Sequence, residues 1–239
     1  MGSLGAIYAG GSSSIATLPQ FLTSIGKDSF YARFYQGIGM YVNADKTGGA
    51  VALNGTVGSW EADPANTSNF TAYWTQSTTG DRPHYATANG INSLYSSSNN
   101  PSGAADQRHL ILSSTTALNG NYSLLMRLPI LARDNRTPYS HNGTQVYFGT
   151  STGGGSLFSA VAAGGSTAAD QVTHCVRNVA GTTSGNAIVC ISQTGTGHNN
   201  TAPNLLKRST AYSSSAISEL WFTPLLTIAE LDAAMTFIT

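Results

Sequence analysis

The sequence predicts an all-β chain folded as an antiparallel two-sheet sandwich, with a short C-terminal helix and an N-terminal arm. Three observations predict it. From about Gly37 onward, apolar runs of strand length alternate with Gly, Asn and Ser clusters. The long amphipathic helices that βαβ units would place between strands are missing from the pattern. The chain is 41 % hydrophobic and 9 % aromatic, enough to pack a core that a disordered Ser/Gly-rich chain could not build. At 239 residues a single core suffices, and length does not call for a second globular domain.

Residues 1–36 read as the arm and residues 37–239 as the domain. Gly10 to Ser14 is a flexible break, and Ile15 to Ile25 has a weak apolar periodicity interrupted by Pro19. Two readings stay open for this stretch. It is an arm with a helical turn or two that anchors on a neighbouring subunit, or an extra strand and loop packed on the domain.

Along the domain, His109 to Ser113, Tyr122 to Leu131, Gln145 to Gly149 and Ser156 to Val161 have strand length and strand composition. Gln171 to Arg177 and Asn186 to Ser192 flank the turn-rich Ala180 to Gly185, which predicts a hairpin. Cys175 and Cys190 lie equally far from its centre, so the strands set them opposite each other. Such a pair forms a disulfide or packs as buried thiols, and thiols are the favoured reading here. The Gly153 to Gly155 run lacks the Lys-Ser/Thr ending of a phosphate-binding loop and reads as a turn. Near the C-terminus, Pro224 stops the strand Ile217 to Phe222. Thr227-Ile-Ala-Glu230 then has the spacing of a capping box. After it, Ile228, Leu231, Ala234, Met235 and Ile238 form one apolar stripe at helical spacing, expected to pack on the sandwich.

Charge narrows the function. Asp, Glu, Lys and Arg make up 9 % of the chain against roughly 25 % in an ordinary domain, and the formal net charge is +0. No basic field exists to hold a nucleic acid or an anionic bilayer, and no apolar run approaches the roughly 20 residues that span a membrane. The N-terminal residues lack a basic segment followed by a sustained apolar one, so export by a secretory signal is not expected.

Two regions carry a family resemblance. Ile38 to Asp45, followed by Asn54-Gly-Thr-Val-Gly-Ser-Trp60, resembles the opening of concanavalin A-like lectin/glucanase (laminin-G-like) domains found in bacteriophage structural proteins. Thr71 to Tyr85, with Arg82, Pro83 and Tyr85 in place, is similar to the next stretch of those domains, and Ile217 to Leu231 to their closing strand and capped helix. The resemblance implies a jelly-roll sandwich over residues 37–239. It also implies a non-catalytic virion structural protein: a head decoration, fibre or tail accessory protein on the virion surface, assembled in the host cytoplasm. Its implied partners are other virion proteins of capsid or tail, a second copy of itself in a homo-oligomer, and a glycan. The family's turn after the Trp is replaced here by Glu61 to Asn69, so no metal and no cofactor is expected.

Glucanases of this fold pair carboxylates on one strand. Glu219 stands alone on its strand, Glu230 belongs to the capping box, and Glu61-Ala-Asp63 lacks a third carboxylate. His84, His109, His141, His174 and His198 are scattered, with no nucleophile context. No catalytic residue is therefore assigned. A sugar site needs an aromatic platform and hydrogen-bonding Asn, Asp or His. Asp134, Asn135, Tyr139, His141 and Asn142 supply that composition in one loop, and the stretch around Tyr73 and Trp74 is a second candidate. Trp60, Trp74 and Trp221 are expected in the core. A carbohydrate-binding adhesin is the alternative function, and a glycoside hydrolase a weaker one.

Overall fold

The computed structural model describes residues 15–96, 108–114, 118, 121–129, 138–140, 146–149, 159–162, 172–178, 187–193, 202–208, 211–212 and 215–238. Helices α1 (Leu18–Ser24) and α2 (Ile228–Ala234) lie near the two ends. The first strands are β1 (Tyr31–Tyr35), β2 (Met40–Tyr41), β3 (Ser59–Trp60), β4 (Thr67–Ser68), β5 (Trp74–Thr75), β6 (His84–Ala88) and β7 (Ile91–Tyr95). Next come β8 (Leu110–Leu112), β9 (Tyr122–Leu128), β10 (Tyr139–Ser140), β11 (Val146–Gly149), β12 (Ser159–Ala162), β13 (Val172–Asn178) and β14 (Ala187–Gln193). The chain closes with β15 (Asn204–Leu205), β16 (Lys207–Arg208), β17 (Ala211–Tyr212), β18 (Ala216–Ile217) and β19 (Glu219–Pro224).

Antiparallel pairing gathers most of these into two six-stranded sheets, ordered β13-β14-β9-β19-β1-β4 and β10-β15-β8-β5-β3-β2. A three-stranded sheet, β18-β7-β6, and the ladders β11-β12 and β16-β17 complete the described pairing. The first and last strands of the chain, β1 and β19, are neighbours inside the first sheet, with Arg33 opposite Trp221. The chain changes sheet repeatedly, passing from β3 to β4 to β5 and again from β8 to β9 to β10.

Strand alternation explains where the core sits. Ala32 and Phe34 of β1, Leu124 and Met126 of β9, and Leu220 and Phe222 of β19 share one buried cluster with Trp60, Trp74, Leu112 and Tyr139 of the second sheet. Phe34 meets Trp60 edge-on at 5.7 Å between ring centroids, and Phe222 stacks on Trp74 at 6.0 Å, so aromatic contacts join the two sheets. Trp60 also donates from Nε1 to the Ile38 carbonyl at 3.1 Å, which lets its indole be fully buried. The other face of the first sheet is covered by helices. Leu125 of β9, Ile188 and Cys190 of β14 and Trp221 of β19 cluster with Phe21 and Leu22 of α1 and Leu231, Ala234 and Met235 around α2.

Residues 15–36, within the stretch read as the arm, contribute α1 and β1 to this arrangement. β1 is an interior strand with Ala32 and Phe34 fully buried, and α1 packs its Leu18, Phe21 and Leu22 on the first sheet. Both elements thus belong to the packing of the first sheet. Pro19 does not interrupt α1. It sits in the first turn, where its missing N–H costs nothing, behind a capping box of Thr17 and Gln20.

At the C-terminus the capping box forms as expected: the Thr227 amide donates to Glu230 Oε2 at 2.7 Å and the Glu230 amide to Thr227 Oγ1 at 3.3 Å. The apolar stripe is buried at Leu231, Ala234, Met235 and Ile238, but Ile228 at its start is 60 % exposed. Ile228 faces solvent, so the stripe packs from Leu231 on. The hairpin β13-β14 has the expected register, with Cys175 directly opposite Cys190. The Gly153 to Gly155 run lies outside the described residues.

Candidate functional site

Of the predicted sugar-binding loop, Asp134, Asn135, His141 and Asn142 lie outside the described residues. Tyr139 is described, and it is a core residue. It is 1 % exposed. Its ring meets Trp74 and Phe222, and its hydroxyl lies 2.6 Å from that of Tyr122. Both rings project inward, one from each six-stranded sheet, so this bond ties the layers together. Burial pushes both phenols well above their ordinary pKa. A tyrosine in this position offers no face to a sugar. The composition of the loop suggested a platform because only the partner strand, distant in sequence, reveals which side of β10 is buried.

The second candidate stretch divides by strand alternation. Trp74 points into the core, while the half-buried Tyr73 lies on the outer side of the second sheet. There it meets the loop between β2 and β3. Lys46 Nζ stands 4.8 Å from the Tyr73 ring centroid and 3.0 Å from Glu61 Oε1, and Tyr41 donates to Glu61 Oε2 at 3.4 Å. The ion pair raises the Lys46 pKa, and the Thr47 hydroxyl lowers that of Asp45, so both groups are charged near neutrality.

This loop is held from several sides. The Asn43 amide donates to the Thr47 carbonyl at 3.1 Å, and Thr47 donates from Oγ1 to Asp45 Oδ1 at 2.6 Å. Ser59 of β3 and Thr75 of β5 donate from their hydroxyls to the Asn43 and Ala44 carbonyls at 2.7 and 2.8 Å. Arg82 reaches the Val42 carbonyl at 2.9 Å and the Gln76 carbonyl at 3.0 Å. Lys46 itself has φ +67°, in the left-handed region that a long side chain seldom adopts.

The segments that carry the family resemblance bond to one another beside this loop. The Asn54 amide donates to the Tyr85 carbonyl at 2.6 Å, the Tyr85 amide to the Gly55 carbonyl at 2.9 Å and the Val57 amide to the Pro83 carbonyl at 2.7 Å. Asn54 takes φ +70° in the turn closed by the Gly55 amide on the Ala52 carbonyl, a conformation Asn accepts more readily than most residues.

Asp63 and Glu219 sit in structural contacts. Asp63 is buried, caps a single 3-10 turn through the Ala65 amide at 3.0 Å, and faces Arg33 at 3.9 Å. Glu219 is buried on the helix-covered side of the first sheet. Its Oε1 accepts from Arg33 Nε and from Trp221 Nε1, each at 2.8 Å, while Oε2 has no partner. Burial raises its pKa, and Arg33 and Trp221 offset part of that rise. Such a buried pair adds little net stability, because desolvating both charges is costly. His109, just before β8, accepts at Nε2 from Lys207 of β16 at 3.3 Å.

No family model matches the chain, and no curated protein or solved structure does either. Among the described residues, no cluster of His, Cys, Asp and Glu is arranged to hold a metal ion, and no helix is long and apolar enough to cross a membrane. Sequence reasoning singled out Tyr73 but missed Lys46, Tyr41 and the role of Glu61. The only local signal was the run Asp45 to Gly49, whose turn composition marks a tight loop without showing what lies beneath it.

Proposed function

We propose that this chain is a non-catalytic structural protein of a bacteriophage virion, displaying a jelly-roll sandwich of the concanavalin A-like kind on the particle surface. The observation that carries the reading is the structural use of the resembling segments. Residues 54–57 and 83–85 bond to each other, Trp60 fills the core, and the closing strand β19 pairs with β1 at the centre of a sheet. Repeated crossing between two sheets is what a jelly-roll requires. A charge-poor, neutral surface suits close packing among many copies and other capsid or tail proteins.

The test is particle composition. Purified virions are analysed by quantitative mass spectrometry and imaged to locate the domain. Many copies at symmetry-related positions are expected. A protein absent from particles and recovered as a free species in the lysate overturns the reading. The domain boundary matters for any anchoring variant, because deletion through residue 36 would remove β1, whereas deletion of residues 1–14 spares every described element.

A second reading, a carbohydrate-binding adhesin, is favoured by one observation. Tyr41, Lys46, Glu61 and Tyr73 combine aromatic surface with a hydrogen-bond donor and acceptor on the outer side of the second sheet. It is compatible with the first, since a virion-surface domain can also hold a host glycan.

A further inference from the structure

Hairpin β13-β14 carries the chain's two cysteines at one register position. Cys175 stands directly opposite Cys190, with three further paired positions on either side, so the ladder as a whole fixes this match. Directly opposed residues of an antiparallel pair share a face of the sheet, with Cα atoms about 4.5 or 5.5 Å apart. A disulfide spans about 4.4–6.8 Å between the same atoms, so the backbone already meets its requirement. The face is the helix-covered one. Cys190 is fully buried there among Leu125, Ile188 and Trp221, and α2 packs against β13. In the described pairing β13 ends its sheet and is bonded to β14 alone. Edge strands fray more readily than interior ones, and a frayed edge offers its backbone to other chains.

We propose that Cys175 and Cys190 close into a cross-strand disulfide once the protein leaves the reducing cytoplasm, locking the edge strand β13 to β14. In the cytoplasm an excess of small thiols keeps both cysteines reduced, whereas outside the cell disulfides persist. The oxidant is a small disulfide such as oxidised glutathione. One cysteine gives its proton to water and its thiolate attacks the oxidant, forming a mixed disulfide and releasing one glutathione thiolate. The second cysteine, likewise deprotonated, attacks the protein sulfur of that mixed disulfide and releases the other glutathione. The protein loses two protons and two electrons, and the oxidant is reduced to two glutathione thiols. Fraying of β13 gives the oxidant its access, and the finished bond suppresses that fraying. It closes a loop of about 15 residues, which restricts the unfolded chain more than it alters the fold. The timing, release from the cytoplasm on a particle, rests on the virion reading above; the closure of the bond does not.

The test uses full-length wild-type protein, purified with a reducing agent and then equilibrated with oxidised glutathione. Each state is treated with iodoacetamide in denaturant, weighed by intact mass spectrometry and digested to map the linkage. Both cysteines are expected to be labelled before oxidation and neither afterwards, with the peptides carrying Cys175 and Cys190 joined within one chain. The oxidised form, freed of glutathione, is expected to melt about 6–12 °C above the reduced form. Cys175→Ala is expected to show no such rise under the same oxidation. Two labelled thiols after oxidation, a persistent glutathione adduct or a linkage between two chains overturns the proposal, and so does a bond formed without a rise in melting temperature. The same labelling of purified particles and of unlysed host cells reports the timing, with the disulfide expected in particles and thiols in cells. A disulfide already present in cells overturns the timing. Closure in the purified protein with no copies in particles overturns the virion reading and leaves the bond standing.

Discussion

Removing one hydroxyl from the buried Tyr122–Tyr139 pair tests how the two sheets are joined. The hydroxyls lie 2.6 Å apart, and each ring is 1 % exposed. Tyr122→Phe deletes one oxygen, leaves the ring packing in place, and strands the Tyr139 hydroxyl in the core. A neutral hydrogen bond contributes about 1 kcal/mol net, but a buried hydroxyl left without its partner costs about 1–3 kcal/mol. The single variant is therefore expected to lose about 1–3 kcal/mol, and Tyr139→Phe a comparable amount. For a chain of this size each kcal/mol shifts the melting temperature by about 2–4 °C. The double Phe variant removes both groups together, so its stability returns to within about 1 kcal/mol of wild type. Urea unfolding of the four proteins, with the slopes compared to verify a common unfolded state, measures the coupling. A double variant that loses the sum of the two single losses would refute the inter-sheet bond, and with it the placement of Tyr139 in the core.

Two further predictions concern the backbone and charge of the same fold. Gly58→Ala places a Cβ on the Val42 carbonyl oxygen and the Asn43 backbone, which Ser59 and Arg82 hold in place. A loss of about 3 kcal/mol is expected in urea unfolding, and a loss under about 1 kcal/mol would show that the loop yields. Glu219→Gln tests linkage. Burial raises the Glu219 pKa above the ordinary glutamate value of 4.5, so the folded state holds this proton more tightly than the unfolded chain. The stability of wild type relative to the Gln variant is accordingly greatest below that value and falls as pH rises from about 4.5 through the raised pKa. Arg33 and Arg127 face the carboxyl from β1 and β9 and limit the size of the fall. A difference between the two proteins that grows with pH would overturn the assignment.

Several features were legible without the fold. The runs at His109, Tyr122, Gln145, Gln171, Asn186 and Ile217 all contain strands, and the β13-β14 register follows from the hairpin's symmetry. The run from Ser156 contains β12 three residues later than it begins. Trp60, Trp74 and Trp221 are buried as expected. The C-terminal cap was readable because its two bonds span only three residues. The cap of α1 carries the same kind of signal in Thr17 and Gln20, and Pro19, which interrupts the apolar periodicity, marks the beginning of the helix.

Local chemistry thus determined strand character, turns and caps, because backbone sterics and short-range hydrogen bonds act within a few residues. The tertiary structure decided what those elements meet. It turned Tyr139 inward onto Trp74, placed β1 beside β19 in an interior position, and left Ile228 at the start of α2 facing solvent. It also assembled Tyr41, Lys46, Glu61 and Tyr73 from separate segments. The physical reason is common to all four. An alternating strand specifies two faces, but which one is buried depends on the apolar surface that another sheet or helix presents, and that surface comes from residues far away in the chain.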